Sequence, residues 1–281
     1  MTPAWYDAQY NNRARIPGHP AILAHWAQAS ADALARHPDM VEACYGSHPR
    51  ERLDVFPARA AGSPVFVYFH GGYWRALDKR DQSFVAPPLV AAGALVVLPD
   101  YALCPAVRIE HIVLQTVQAL RWVHRHAARW GGDPDRIVVA GHSAGGHLAT
   151  MLLACRWQAV DAALPADLVK AALSISGLYE LEPLRHAPFL AGDLGLTAES
   201  ALKLSPAAMP APGGQLATVV GGDESEEFLR QADLIARAWG PQVVTASERP
   251  PGRNHMDVLH ELSDPLSRTH ALALELLGLG R

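Results

Sequence analysis

Six short runs of nearly continuous apolar residues punctuate the chain, at 65–69, 94–98, 137–140, 171–175, 216–220 and 242–245. Runs of this kind fit strands buried on both faces, as in a parallel sheet, better than half-exposed strands, which alternate apolar with polar. Between them lie stretches of helical period. Ile109, Ile112, Val113, Val117, Leu120 and Val123 share one face of a helix predicted over 109–129, and 144–157 and 226–239 read the same way. Strands alternating with helices predict an α/β fold: a doubly wound, mostly parallel sheet with helices on both faces, joined by right-handed crossovers.

The first fifty residues do not follow this alternation. They hold Trp5, Tyr6, Tyr10 and Trp26 and an Ala-rich helical stretch at 20–36, with Pro20 in its first turn and Pro38 just past its end. A segment this short cannot build its own core. It is expected to pack as a small N-terminal helical cap, 1–50, on the core formed by 51–281, the whole forming a single domain.

The composition narrows the partners. With 281 residues, 49% hydrophobic and 19% charged, the chain is long and apolar enough for a large buried core. Its formal net charge of −4 provides no basic field, which argues against nucleic acid and an anionic membrane as partners. No apolar run reaches the ~18 residues of a membrane span, and Met1 to Tyr10 lack the apolar stretch of a signal peptide. Cys44, Cys104 and Cys155 are widely spaced, with no CxxC pair, so reduced thiols and a cytoplasmic location are expected. The expected partner is a small-molecule substrate. Oligomeric state is not readable, and a homodimer stays open.

Chemistry enters at residue 141. The run 137–140 leads directly into Gly141-His142-Ser143-Ala144-Gly145-Gly146, a G-x-S-x-G with a strand before it and a helix after it. A serine on so tight a turn has a strained backbone, and glycines at both flanks let neighbouring chain pass close by. Ser143 is therefore the candidate nucleophile of a serine hydrolase. His70-Gly71-Gly72-Tyr73-Trp74 follows the first strong strand, where such enzymes place an oxyanion loop. Gly71 and Gly72, with the N–H of Ala144, are the candidate oxyanion donors, because bare backbone must face the substrate oxygen. His70 reads as a brace for that loop. Tyr73, Trp74 and His142 are candidate pocket residues, and Tyr73 and Trp74 read equally well as packing for the cap.

Acid and base should follow the serine in that order. The run 216–220 ends at Gly221-Gly222-Asp223-Glu224, where strand-end position alone does not choose between the two carboxylates. The last run leads to Asn254-His255, which makes His255 the base. His260 is the rival, but it falls in the next helical stretch. No HExxH pair exists among the 14 histidines, and neither metal nor organic cofactor is expected.

These segments resemble the arylformamidases, the kynurenine formamidases of the α/β-hydrolase superfamily, which are related to hormone-sensitive-lipase-like esterases. The likeness rests on HGGYW at 70–74, GHSAGGHLA at 141–149, GGDESEEFLRQ at 221–231 and NHMDVL at 254–259. It runs from about Val65 to the C-terminus. Tyr73 stands where the lipase relatives usually carry a third glycine, and Ala102 replaces their usual arginine in the stretch from Asp100 to Pro105. The resemblance implies an α/β-hydrolase fold and cofactor-free hydrolysis of N-formylkynurenine to kynurenine and formate. It also implies that the acid stands four residues before a phenylalanine. Counting back from Phe228 gives Glu224, with Asp223 the alternative. Two other readings share the machinery: a general carboxylesterase for short-chain or aryl esters, and a non-catalytic binding protein on the same fold.

Overall fold

The computed structural model describes residues 1–280. Its single eight-stranded sheet consists of β1 (Val41–Cys44), β2 (Arg52–Phe56), β3 (Ser63–Phe69), β4 (Leu95–Pro99), β5 (Gly132–His142), β6 (Val169–Ile175), β7 (Gln215–Val219) and β8 (Val244–Glu248). The spatial order is β1-β2-β4-β3-β5-β6-β7-β8. β2 pairs antiparallel with β1 and β4, and every other pairing is parallel. The six apolar runs supply β3 to β8. In the last, the strand begins two residues late, because Val243 and Val244 first donate back to the Gly240 carbonyl and close a turn.

Burial on both faces accounts for the runs of β3 to β7, whereas the edge strand β8 buries only Val244. Val65, Val67 and Phe69 of β3 face one layer, with Ile112, Leu120, Leu148 and Leu152 from the helices Ile109–His126 and Ala144–Leu153. Phe66 and Tyr68, one residue out of step, face the other, with Leu89, Leu259 and Leu272. The predicted helix over 109–129 passes at Ala127 into a tighter turn, which Gly131 ends with a φ of 82°. The one over 144–157 breaks at Ala154, and Trp157, buried in the core, starts a separate turn of helix. Cys44, Cys104 and Cys155 are free thiols. No helix among the described residues is long and apolar enough to cross a membrane.

The N-terminal segment is helical over α1 (Pro3–Tyr10), α2 (Asn12–Arg15) and α3 (His19–Arg36), as its composition predicts. It departs from that expectation at β1, which joins the sheet edge instead of the cap. α1 sits on one layer, where the fully buried Tyr10 donates its hydroxyl proton to Glu227 Oε2 at 2.5 Å. α3 sits on the other, burying Trp26, Ser30 and Ala33, a single helical face.

β1 and β2 are the two strands absent from the apolar pattern. β1 is an outer strand with mostly exposed residues, and Asp54 interrupts β2. Asp54 is fully buried and faces Lys79 Nζ at 2.8 Å, an ion pair with side-chain exposures of 0% and 4%. Burial raises the Asp54 carboxyl above its ordinary value even with the ammonium beside it. Removing the ammonium leaves the buried carboxylate with only the half-exposed Arg80, 3.5 Å from Oδ2, so Lys79→Met is expected to destabilise the fold by about 3 kcal/mol. Urea unfolding at neutral pH checks this, and Asp54→Leu added to Lys79→Met should restore most of the loss.

Candidate active site

β5 must become a helix within one residue. Ser143 makes the turn at φ 58° and ψ −117°, a region costly for a side-chain-bearing residue. The glycines on either side are dictated by contact: a Cβ on Gly141 would stand 2.2 Å from the Gly145 carbonyl, and one on Gly145 would stand 1.9 Å from Phe69 O. The turn is pinned from the sheet side, where the Ser143 N–H donates to Ile175 O at 2.8 Å.

The structure brings Ser143, His255 and Glu224 into one hydrogen-bonded chain. His255, in the loop after β8, has Nε2 3.0 Å from Ser143 Oγ and Nδ1 2.6 Å from Glu224 Oε2. A carboxylate only accepts, so Nδ1 carries the proton and Nε2 offers its lone pair to the serine hydroxyl. Glu224 has a fully buried side chain. Its Oε1 accepts from the Gly221 N–H at 2.8 Å and from the Ser176 hydroxyl. Ser176, at the end of β6, has no signature in the sequence; it is the residue of this constellation that motif reading misses. Asp223 is exposed, and its backbone N–H ties the loop to Arg253 O at 3.0 Å. The helix that follows is capped by Ser225. His260 is not brought to the serine, for its Nε2 accepts from Trp26 Nε1 at 3.0 Å.

The loop after β3 closes over the serine. A Cβ on Gly71 would sit 3.4 Å from Ser143 Cβ and 3.0 Å from His142 O, so a side chain there would press on the serine and its neighbour. Among the described residues, the backbone N–H groups of Gly71, Gly72 and Ala144 donate to no protein acceptor. His70 braces this loop: Nδ1 faces Gly71 O at 2.7 Å, Nε2 faces Asp100 Oδ1 at 3.0 Å, and the ring stacks on Tyr101 at 4.2 Å.

A pocket of about 480 Å³ opens in front of Ser143. Leu23, Trp26, Phe189 and Met256 give it apolar walls, and Arg13, Arg75 and Asp193 add charge. Tyr73, for which pocket wall and cap packing are alternatives in the sequence, lines the pocket while its hydroxyl donates to Tyr10 O in the cap at 2.7 Å. Trp74 is a correction: it is no pocket residue. Positive φ angles at Tyr73 and Trp74 turn the indole inward, where it is fully buried with its edge against His147. His142 lines the pocket and donates from Nε2 to His255 O at 2.7 Å. Burial, reinforced by His255, holds His142 down to about 3, so its imidazole is neutral. Among the described residues no group of three His, Cys, Asp or Glu is placed to hold a metal ion.

A family model for the α/β hydrolase fold matches residues 66–212. A Silicibacter sp. TM1040 protein that carries a provisional thioesterase name superimposes with a TM-score of 0.81 at 32% identity, covering 93% of this chain and 96% of its own. The kynurenine formamidase of Danio rerio is 29% identical over 248 residues, 85% of this chain and 82% of that one. A carboxylesterase of Mycobacterium tuberculosis is 45% identical over 91 residues, 32% of this chain and 28% of that one. The chain belongs to the α/β-hydrolase fold family and is a hydrolase.

Two histidines flanking Ser143 shape the acid stability. Burial lowers His147 to about 4, below the 6.5 of an exposed imidazole, and His142 is lowered further. As pH falls below 6.5 the unfolded chain takes up protons at both positions and the folded chain does not. The stability they allow at neutral pH is therefore lost progressively toward pH 4, at about 1.4 kcal/mol per pH unit for each histidine. His147→Gln removes one of them, so its loss of unfolding free energy between pH 6 and pH 5 should be smaller by about that amount. Urea titrations of both proteins at the two pH values measure it.

Proposed function

We propose that the protein hydrolyses an aryl formamide of the N-formylkynurenine type, with Ser143 as nucleophile, His255 as base and Glu224 as the acid that orients it. The observation that carries this reading is the Ser143–His255–Glu224 chain beside three backbone N–H groups with no protein acceptor. In the first half-reaction His255 Nε2 takes the serine proton as Oγ attacks the formyl carbon. The carbonyl oxygen becomes an oxyanion held by the N–H groups of Gly71, Gly72 and Ala144. The C–N bond breaks, the imidazolium gives its proton to the leaving aniline nitrogen, and a formyl ester stays on Ser143. Water, activated by the same imidazole, then releases formate and restores the serine. Glu224 stabilises the imidazolium, and hydrogen bonds from the Gly221 N–H and the Ser176 hydroxyl hold it in place. The backbone donors supply the polarisation, so the reading needs no metal or organic cofactor.

The formamide is favoured by the likeness to kynurenine formamidases over most of the chain. It would put the protein in tryptophan catabolism, in the cytoplasm, acting on a small molecule. The second reading, a carboxylesterase of short-chain or aryl esters, is supported by the Mycobacterium tuberculosis relative. Formate release from N-formylkynurenine, compared with p-nitrophenyl acetate cleavage, separates the two: a much larger kcat/KM for the ester would overturn the formamide reading.

For the proposed machinery, Ser143→Ala should lower kcat by roughly 10⁴-fold or more, because the three groups act as a unit. Glu224→Gln should lower it by about 10²- to 10⁴-fold with little change in KM, while the exposed Asp223 tolerates Asn. Both variants are assayed in parallel at saturating substrate. A crippled Asp223→Asn beside a near-normal Glu224→Gln would transfer the role to Asp223.

A further inference from the structure

The cap is bonded to the core at two places, with a seam between them. α1 is fixed by Tyr10, which donates to Glu227, and by Gln9, whose Oε1 accepts from the Glu227 N–H at 3.3 Å. α3 is fixed by Trp26 on His260. From Asn11 to Gly18, between the two, every hydrogen bond among the described residues stays within the cap. A second cavity, of about 220 Å³, lies along this seam. Arg15 and Pro17 bound it on the cap side, Asp223 and Asn254 on the side of the acid and base loops. Asn12 and His255 line both this cavity and the pocket in front of Ser143, so those two residues stand between them. Asn12 is 5% exposed, and its Nδ2 has no protein acceptor.

We infer that the seam cavity is the inlet for the water that hydrolyses the acyl-enzyme, and that Asn12 positions this water beside His255. The inference rests on the reading of Ser143 as a nucleophile that becomes acylated, and it holds for a formamide and an ester alike. When acylation is complete, the leaving group still occupies the apolar pocket through which the substrate came. Water arriving by the seam does not have to wait for it to depart. The cavity suits water in size, since at about 30 Å³ per molecule it holds several. It suits water in polarity as well, with Arg15, Asp223 and Asn254 around it where the main pocket has Leu23, Trp26 and Phe189. A water oxygen gives Asn12 Nδ2 the acceptor that the protein does not. A water held there stands next to the imidazole that must deprotonate it. Its oxygen bonds to the acyl carbon while one of its protons passes to His255 Nε2. As the C–Oγ bond breaks, that proton returns to Ser143 Oγ and the carboxylic acid leaves. Acylation consumes no water, so only the second half-reaction depends on the seam.

The test separates the two half-reactions of the full chain in single turnovers with p-nitrophenyl acetate. Release of p-nitrophenolate reads acylation, and the decay of acetyl-Ser143 by intact mass reads deacylation. Arg15→Trp and Pro17→Trp fill the cavity from two exposed positions on its rim. Each should slow deacylation about tenfold and leave acylation within about twofold of the parent. Asn12→Leu removes the amide at nearly the same volume and should slow deacylation by a like factor. Benzyl alcohol gives an independent readout, because an apolar, aromatic acyl acceptor enters by the main pocket. In the rim variants the ratio of benzyl acetate to acetate should rise by about the factor that hydrolysis loses, whereas general damage to the site lowers both products together. Unchanged deacylation in both rim variants, acylation that falls in step with deacylation, or an unchanged product ratio would each overturn the inference. If no p-nitrophenolate is released and no acetyl group appears on Ser143, the acyl-enzyme reading itself fails and the inlet with it. An acetyl-enzyme that forms in every variant and decays at the parent's rate rejects the inlet alone.

Discussion

Gly141 and Gly145 touch across the turn at Ser143, and the rest of the site hangs on that contact. With either residue larger, β5 could not enter its helix in a single step. The backbone at Ser143 pays for this with a conformation worth about 1–3 kcal/mol of strain. The sheet can hold it because the strands around the turn are buried on both sides, and because Ile175 O and Phe69 O fix the turn from two neighbouring strands. The strain has a use. It leaves the Ala144 N–H at the open start of a helix, beside the two glycines of the loop after β3, where no protein atom competes for it.

A parallel sheet gathers its carboxyl ends along one edge, so β5, β7 and β8 deliver Ser143, Glu224 and His255 to the same place. Delivery alone would leave two mobile loops. They are instead joined by the backbone: Gly222 donates to Pro250 O at 2.9 Å and Asp223 to Arg253 O at 3.0 Å. Gly221 is pressed so close to Arg253 O that a Cβ there would lie 2.3 Å from it. Acid and base loops therefore behave as one piece. Asn254 stiffens it further, accepting from the Met256 and Asp257 N–H groups while its own amide donates to Asp257. The separation of Glu224 from His255 is set by main chain, which side-chain rotamers cannot relax.

What the sequence reveals follows from which forces act alone. Strands β3 to β7 are legible because burial on both faces leaves apolar runs, while the edge strand β8 shows only through the buried Val243 and Val244 at its start. β2 is not, since Asp54 is made acceptable by Lys79, a partner 25 residues away. The serine turn is legible because sterics admit only glycine at its flanks. The choice of Glu224 over Asp223 is not legible from the strand end. It depends on which side chain the turn after β7 points inward, and only the likeness to a family favours Glu224. Ser176 escapes for the same reason, being one unremarkable serine until β6 is laid beside β7. Trp74 misleads, because aromatic residues after a glycine pair suit a pocket wall until two positive φ angles in succession turn the indole into the core.

The cap carries a different kind of information. Its helices lie outside the sheet, yet hydrogen bonds tie them to the elements that bear the site: Tyr10 to Glu227, Tyr73 to Tyr10, and Trp26 to His260. Burial, then Glu227, pushes the Tyr10 phenol well above its ordinary value, so it stays protonated and keeps donating. Trp26 also meets the ring of His142 edge-on, one residue before the serine. The cap thus supplies Asn12, Arg13, Leu23 and Trp26 to the pocket without supplying any member of the Ser143–His255–Glu224 chain. The Ser143–His255–Glu224 chain and the cap's share of the pocket lining sit on separate parts of one chain, joined by a few buried polar contacts. Changes in the cap can therefore alter which acyl compound is accepted while the strained turn, the paired loops and the oxyanion loop stay as they are.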